Sequence, residues 1–261
     1  WDLSLVIEEL KLLSPEMLDL TGFDSDLLIT PDEADDVVPD APETPQSALG
    51  DVYILGRHKV MCGDSTKRED VEWLMDGKKA DMVFTDPPYQ MQMDSGESFL
   101  KKSTKRMEKR VTPLASFNAK DISFLPELQG IGAFYICTSK NLIPDYFEIF
   151  RGMAFNILVW AKTNPTPFTN GTFLPDIEYI LYFSRSGRIW NNSLKPTSVY
   201  SKFLVSSKLL GREGIGDLHP TIKPVELIQN RILISSHKEG IVLDLFLGSG
   251  STLIAAEKTG R

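Results

Sequence analysis

The sequence predicts an α/β fold with an open, doubly wound and mostly parallel sheet. Three observations support this fold class. After Gly50, short strand-like runs alternate with amphipathic helical segments, the runs are apolar on both faces, and two of them end in glycine-rich or proline-rich turns. With 261 residues and 42% hydrophobic content, the chain can bury a sizeable core.

The predicted elements follow one another in a regular order. Strands are expected at 58–62, 81–85, 132–137, 155–161, 177–183 and 240–247. Helices are expected between them at 66–77, 121–130, 142–153, 223–236 and 251–260. The stretch FSRSGRIW, residues 183–190, has a Ser-Gly turn and predicts an antiparallel hairpin near one edge of the sheet.

Charge divides the chain into two parts. Residues 1–50 contain 13 of the 36 acidic residues and one of the 28 basic residues, so residues 51–261 carry a net charge of +4. The first part has helical apolar spacing followed by an acidic, proline-rich stretch, which is typical of a linker. We therefore expect one main folded domain over 51–261 whose mildly basic character permits a nucleic-acid partner.

Several classes of protein are disfavoured by composition. No apolar run reaches the roughly 20 residues that a membrane-spanning helix needs, and no signal peptide is evident, so we expect a cytoplasmic protein. Cys62 and Cys137 form no C-x-x-C pair, and His58, His219 and His237 lack the spacing of metal ligands. A disulfide scaffold or a metal site is not expected.

The stretch DLFLGSGST, residues 244–252, ends a predicted strand and begins a helix. Gly248 and Gly250 allow the backbone to turn sharply past a ligand, as in many nucleotide-binding turns. A ligand-free glycine turn between a strand and a helix is the alternative that this motif leaves open.

A second motif, Asp86-Pro87-Pro88-Tyr89, follows the predicted strand DMVFT. The prolines fix the backbone and remove two amide donors, so the carbonyl groups of Asp86 and Pro87 are available as acceptors. With the Asp86 carboxylate and the flat ring of Tyr89, this site suits a planar group that carries an exocyclic amino group. The alternative is a proline-stiffened loop without chemistry.

These two motifs, together with LGRHKVMCGDS at 55–65 and HPTIKP at 219–224, resemble the S-adenosylmethionine-dependent amino-methyltransferases of DNA. The catalytic motif precedes the cofactor motif, which resembles the circularly permuted beta class of that family. The resemblance implies a Rossmann-like methyltransferase fold over residues 50–261. It also implies S-adenosylmethionine as the cofactor and double-stranded DNA as the partner.

The resemblance also implies roles for individual residues. The cofactor would be bound by residues from the three motifs outside the catalytic one: Asp64, His219, Thr221, Lys223, Asp244, Phe246, Gly248, Ser249, Gly250 and Thr252. Lys223 would face the cofactor carboxylate, and Asp64 would accept a hydrogen bond from its adenine amino group. Two alternatives stay open: Asp64 as a helix cap and His219 as an ordinary loop residue.

Asp86, Pro87, Pro88 and Tyr89 are the implied catalytic residues. In this family an acid at the first position favours N6 of adenine as the target, whereas a serine favours N4 of cytosine. The target base must leave the duplex stack, and Tyr89 would be the surface on which it stacks. N4-cytosine methylation and a catalytically silent DNA-binding module are the alternatives.

Two further stretches bear on DNA binding. The stretch 101–110 follows the catalytic motif and carries cations that could contact phosphates: Lys101, Lys102, Lys105, Arg106, Lys109 and Arg110. A solvated surface loop is the alternative interpretation. Residues 191–217 occupy the place of a target-recognition region and are short, which leaves room for a homodimer or for a fused or partner DNA-recognition domain.

The two ends of the sequence suggest a longer protein. The chain starts with Trp1 rather than methionine, and residues 1–50 weakly resemble the tail of a ParB-like domain fused to a methylase. A dinucleotide-like pocket also needs an acidic residue on a strand about 20 residues after its glycines, but the chain ends at Arg261. We therefore expect a further strand and helix after Arg261.

Overall fold

A computed structural model of the chain describes residues 10, 12–14, 17, 46–88, 117–163, 173–174, 176–206 and 223–261. The chain divides into two units, Trp1–Glu43 and Thr44–Arg261. Both sheets lie in the second unit. The predicted acidic helical segment and linker, residues 1–50, fall mostly outside the described residues and stay a prediction.

The elements of the second unit alternate as the sequence predicts. The strands are β1 (Val52–Leu55), β2 (His58–Met61), β3 (Met82–Thr85), β4 (Ala133–Thr138), β5 (Ala154–Lys162), β6 (Ile177–Ser184), β7 (Phe203–Ser206) and β8 (Val242–Leu243). The α-helices are α1 (Arg68–Met75), α2 (Ile143–Ile149), α3 (Val225–Ser235) and α4 (Ser251–Thr259). Short 3-10 helices occur at Ala119–Ile122, Leu125–Glu127, Lys140–Leu142 and Thr197–Tyr200.

A six-stranded sheet with the order β7-β5-β6-β4-β3-β8 forms the centre of this unit. β3 pairs in parallel with both β4 and β8, and β5 pairs in parallel with β7. β6 runs antiparallel to its neighbours β4 and β5. Five strands therefore share one direction and β6 is reversed, so the predicted α/β architecture with a mostly parallel sheet is confirmed.

The core consists of two layers, one on each face of the sheet. Alternate side chains of a strand enter opposite layers: Val83 packs with α2 and the 3-10 turns, and Phe84 packs with α3 and α4. β3 and β4 are buried along their whole length. This two-sided burial explains why both sequences are apolar at every position before the final threonine, rather than at every second position.

Two predicted elements differ in the structure. The segment predicted at 58–62 does form a strand, but among the described residues β2 pairs only with β1, in a separate two-stranded antiparallel hairpin. The single helix predicted at 121–130 is instead a pair of 3-10 turns, Ala119–Ile122 and Leu125–Glu127. Pro126 accounts for the second difference, because it has no amide donor for a continuous α-helix.

The antiparallel pairing lies elsewhere than FSRSGRIW suggests. Gly187, with a φ of 79°, turns the chain after β6, but residues 188–196 form no strand. They run instead past the end of α3, where the Asn191 side chain donates to the carbonyl groups of Leu233 and Ser236 at 2.6 and 3.1 Å. The antiparallel partners of β6 are β4 and β5, and β6 lies inside the sheet. β7, within the region 191–217, was not predicted.

Among the described residues, none of the helices has the length and apolar character needed to cross a membrane. In the same part of the chain, His, Cys, Asp and Glu side chains do not gather into a group that could hold a metal ion.

Candidate active site

Acidic residues follow two neighbouring parallel strands at the same edge of the sheet. Asp86 comes directly after β3, and Asp244 comes directly after β8. Because β6 is reversed, its first residues lie at this same edge, and Glu178 is its second residue. The structure therefore brings together residues that are up to 158 positions apart in the chain, counted from Asp86 to Asp244.

Four charged side chains at this edge form a mostly buried network of ion pairs: Lys162, Glu178, Lys223 and Asp86. The Lys223 ammonium lies 2.6 Å from the Asp86 carboxylate and 3.2 Å from the Glu178 carboxylate. The other Glu178 oxygen pairs with Lys162. Asp86 is 20% exposed, whereas Lys223 is 4% exposed and Glu178 is 13% exposed. Asp86 is thus the most accessible carboxylate of the network.

The opposite charges of the network keep one another ionised despite burial. Burial lowers the pKa of Lys223, but the Asp86 and Glu178 carboxylates outweigh this effect and raise the pKa above its ordinary value. Burial also raises the pKa of Glu178, and the two ammonium groups of Lys223 and Lys162 outweigh it and lower that pKa. Lys223 is therefore protonated and Glu178 ionised at neutral pH.

Cys137 lies on β4 beneath this network, and it is the buried one of the two cysteines. Burial raises the pKa of its thiol well above the ordinary value. A buried neutral thiol is a poor nucleophile, so the structure does not support a covalent mechanism through Cys137.

The glycine-rich turn after β8 provides backbone rather than side-chain surface. Gly248 has a φ of 55° and Gly250 a φ of 83°, both in the left-handed region that glycine adopts without strain. Gly250 is the N-cap of α4, and no described atom lies within 4 Å of the position that a side chain would occupy there. The start of α4 is thus open to a ligand.

Asp244 lies at the base of this turn. Burial raises the pKa of its carboxyl group to about 6, although hydrogen bonds from the Thr252 hydroxyl and the Phe246 backbone amide oppose the shift. The amide of Phe246 donates to Asp244 at 3.0 Å. The Phe246 ring packs edge-on against Phe117. Because burial disfavours the ionised form of this carboxyl group, a cation beside it would stabilise the carboxylate.

Asp64 lies in the loop between β2 and α1. Its carboxylate accepts hydrogen bonds from the backbone amide and the hydroxyl of Thr66, at 3.0 and 2.6 Å, and these bonds lower its pKa. The neighbouring Ser65 hydroxyl donates to the carbonyl group of Leu245 and so ties this loop to the glycine-rich turn. Asp64 therefore stabilises a turn before α1 but does not cap the helix, whose N-cap is Lys67.

The described part of the predicted site is contiguous. Asp86, Asp244 and the glycine-rich turn lie at one sheet edge, and Lys223 joins it through Asp86. The structure pairs Lys223 with two carboxylates of the chain itself, and its predicted contact with the cofactor carboxylate stays a prediction. The remaining predicted site residues lie outside the described residues: Tyr89, Lys101, Lys102, Lys105, Arg106, Lys109, Arg110, His219 and Thr221.

Sequence reasoning missed Lys162 and Glu178. The available signal was a charged residue within each of two consecutive apolar strands, at the end of FNILVWAK and near the start of IEYILYF. Charges at such positions are seldom buried unless they are paired.

Comparison with known proteins supplies a family for this arrangement. A family model described as DNA methylase, of the N6/N4 type, matches residues 80–261, which is more than two thirds of the chain. The matched region contains Asp86, Glu178, Lys223 and the glycine-rich turn.

Similar curated proteins are type II methyltransferases. M2.MboI of Moraxella bovis is 27% identical over 67% of this chain and 71% of its own length. M2.DpnII of Streptococcus pneumoniae is 29% identical over 72% of this chain and 77% of its own length. M.HinfI of Haemophilus influenzae is 28% identical over 69% of this chain, and the match spans 57% of that protein.

Two solved structures were also found to match the chain. An M1.HpyAVI–SAM complex matches with a TM-score of 0.47 and 24% identity, covering 74% of this chain and 86% of that chain. PvuII DNA methyltransferase, described as cytosine-N4-specific, matches with a TM-score of 0.49 and 16% identity, covering 72% and 76%.

Proposed function

Because the chain belongs to the N6/N4 family of DNA methylases, we propose that it transfers a methyl group from S-adenosylmethionine to the N6 amino group of adenine in a short duplex DNA sequence. One observation carries the proposal: Asp86 ends a buried parallel strand before two prolines, and a buried ammonium group holds it in place. We also propose the circularly permuted beta class, because the catalytic motif precedes the glycine-rich turn in the chain.

The residues present fit the proposed cofactor. Gly250 leaves open space at the start of α4, and the carboxylate of Asp244 lies at the base of the same turn. Phe246, Gly248, Ser249 and Thr252 complete this surface, with Asp64 on the adjacent loop and Lys223, His219 and Thr221 as further predicted contacts. When bound, the cofactor supplies an electrophilic methyl group on a sulfonium. The carboxylate of Asp244 would attract the positive charge of the cofactor.

Asp86 and Pro87 act on the nucleophile. The lone pair of an exocyclic amino nitrogen is delocalised into the ring, so the group is a weak nucleophile. Acceptors at the Asp86 carboxylate and the Pro87 carbonyl bind its two hydrogens, favour a tetrahedral nitrogen and stabilise the positive charge that develops on it. Pro87 and Pro88 contribute rigidity, since neither has a backbone amide that could compete for the acceptors.

The target base has to leave the duplex to reach this site. Tyr89 follows the prolines and supplies an aromatic face on which the flipped base stacks. The similarity to type II methyltransferases supports a role beside a restriction enzyme.

The direct test is the transfer of a labelled methyl group from S-adenosylmethionine to unmethylated duplex DNA, followed by mass spectrometry of the digested nucleosides. N6-methyladenine is the expected product. N4-methylcytosine would keep the mechanism but overturn the target base. No methylated nucleoside at all would overturn the enzymatic function and favour the DNA-binding module.

Asp244 makes cofactor binding dependent on pH. Since its pKa is about 6, we expect affinity for S-adenosylmethionine to fall as the pH drops below 6, where the carboxyl group becomes neutral. In Asp244→Asn this dependence disappears, and affinity at pH 8 falls about tenfold or more because the substitution removes a charge-assisted interaction. Isothermal titration calorimetry at pH 5.5 and 8 measures both effects.

The same substitution has the opposite effect on stability. The folded-state pKa of Asp244 lies above its ordinary value of 3.8, so the stability that proton binding contributes is lost as the pH rises through about 6. Without cofactor at pH 8, Asp244→Asn should therefore unfold a few °C above wild type, at most about 3 kcal/mol more stable. Asp176→Asn, at an exposed acid, is the control; equal effects of the two substitutions contradict the prediction.

The basic stretch 101–110 is proposed to contact DNA phosphates. We expect Lys101→Ala combined with Lys105→Ala to weaken DNA binding at all sequences alike. The slope of log affinity against log salt should fall by about 0.9 for each phosphate that the variant no longer neutralises. Fluorescence anisotropy at several salt concentrations measures the slope. Lys78→Ala with Lys79→Ala, which changes exposed lysines at the amino end of β3, is the matched control; an identical slope in both pairs argues against the proposed phosphate binding.

A further inference from the structure

Glu178 is a buried acid without a role in the proposed chemistry. It lies on β6, in the interior of the sheet, and its side chain is 13% exposed. Its two oxygens pair with different cations, one with Lys162 and the other with Lys223 at 3.2 Å. A buried carboxylate that binds two cations is costly to desolvate, so its retention calls for an explanation.

The position of Lys223 explains why a second carboxylate matters. Lys223 precedes α3, and its flexible side chain ends 2.6 Å from Asp86. An ammonium group on a four-carbon chain can pivot around a single carboxylate. Glu178 supplies a second contact from another strand, so the ammonium is held between two fixed points.

Glu178 itself is anchored by the sheet. β6 is hydrogen-bonded to β4 on one side and to β5 on the other, and Glu178 pairs in register with Trp160 of β5. Lys162, two residues along β5, neutralises Glu178 on the same face and lies over the Trp160 ring at 5.2 Å. The rigid part of the network is therefore the Glu178 end, and Asp86 lies at the other end, where the strand gives way to a loop.

We propose that Glu178 is a positioning residue for methyl transfer: it fixes the Lys223 ammonium, which in turn fixes the Asp86 carboxylate against the target amino group. This inference rests on the proposed function, because it assigns Glu178 to the reaction of that same site. A purely structural role, in which Glu178 only neutralises Lys162, is the competing explanation.

A charge-balanced double substitution separates the two explanations. Lys162→Met with Glu178→Met removes one cation and one anion together, and methionine has a similar length and an apolar side chain. If Glu178 only neutralises Lys162, the double variant should methylate DNA like wild type. If Glu178 positions Asp86 through Lys223, its single-turnover rate of methyl transfer should fall about 10- to 100-fold, because small misplacements of a reacting group have effects of this size.

Three measurements are needed on each protein: the single-turnover rate at saturating cofactor and DNA, the dissociation constant of S-adenosylmethionine, and the unfolding temperature. The positioning role predicts a lower rate with a nearly unchanged dissociation constant and a preserved fold. Glu178→Gln provides a second variant that keeps the shape of the side chain, should the double variant fail to fold. Glu226→Gln, at an exposed acid on α3, is the control and should keep the wild-type rate.

The outcomes are distinguishable. Wild-type rates in both Glu178 variants, from a wild-type protein that does methylate DNA, would overturn this inference alone. A parallel loss of rate, cofactor affinity and folding would also overturn it, since that pattern is structural. Absence of methyl transfer by the wild-type protein would overturn the proposed function and this inference with it.

Discussion

Asp86→Ala should reduce the single-turnover rate of methyl transfer to duplex DNA by at least about 100-fold. In the proposed mechanism, the substitution removes an acceptor that binds the target amino group and stabilises the charge developing on it. The residue follows β3, its side chain is partly exposed, and Glu178 still pairs with Lys223 in the variant, so the fold should be preserved. Binding of S-adenosylmethionine, measured by calorimetry, should change little, because the loss lies in the chemical step.

Asp81 provides a matched control at the opposite end of the same strand. Its carboxylate accepts a hydrogen bond from the backbone amide of His237 at 2.8 Å, far along the strand from Asp86. Asp81→Ala should therefore cost about 1 kcal/mol of stability and leave the rate intact. If Asp86→Ala methylates DNA as fast as Asp81→Ala does, the proposed role of Asp86 is wrong.

The largest effect on stability is expected from Lys223→Met. This substitution removes the cation that Asp86 and Glu178 share and leaves both carboxylates without it in a mostly buried place. Removing one partner of a buried pair typically costs about 3–5 kcal/mol, which corresponds to a fall in unfolding temperature of roughly 6–20 °C for a domain of this size. Thermal unfolding followed by circular dichroism at pH 7 measures this fall in unfolding temperature.

The destabilisation caused by Lys223→Met should become smaller at low pH. Lys223 lowers the pKa of Glu178 below its ordinary value of 4.5, so the stability contributed by this pair is present above pH 4.5 and is lost as the pH falls through the folded-state pKa. The difference between wild type and Lys223→Met should therefore narrow below pH 4.5. Lys59→Met is the control, since it breaks the exposed pair with Asp76 and should cost less than about 1 kcal/mol. Equal unfolding temperatures of the two variants contradict the prediction.

Much of the fold could be predicted from local signals. β3 and β4 are nearly continuous apolar runs, and α3 and α4 are stretches without proline or glycine between turn residues, so their type and order follow from the sequence. Pairing is not a local property. The hairpin strand β2 has the composition of a sheet strand, but only tertiary contacts decide that it pairs with β1. For the same reason the reversal of β6 could not be predicted from its own residues.

The candidate site was predictable where chemistry depends on short motifs. Asp86 is marked by the prolines after it, and Asp244 and Gly250 by the glycine-rich turn. Glu178 and Lys162 carry no motif, because their importance arises from neighbours that are distant in sequence. Lys223 was predicted as a site residue, but its two carboxylate partners became evident only in the folded chain.

The pairing between strands β5 and β6 also affects which parts of the sequence can change during evolution. Eight residue pairs fix the register of the two strands, including Trp160 with Glu178. β5 ends and β6 begins at the sheet edge that carries Asp86 and Asp244, and residues 163–176 connect the two strands in the sequence. Insertions or substitutions in that connection leave the register of Lys162 and Glu178 unaltered. Evolution can thus vary the sequence of this connection while the pairing of the two strands, and the charged residues on them, is inherited intact.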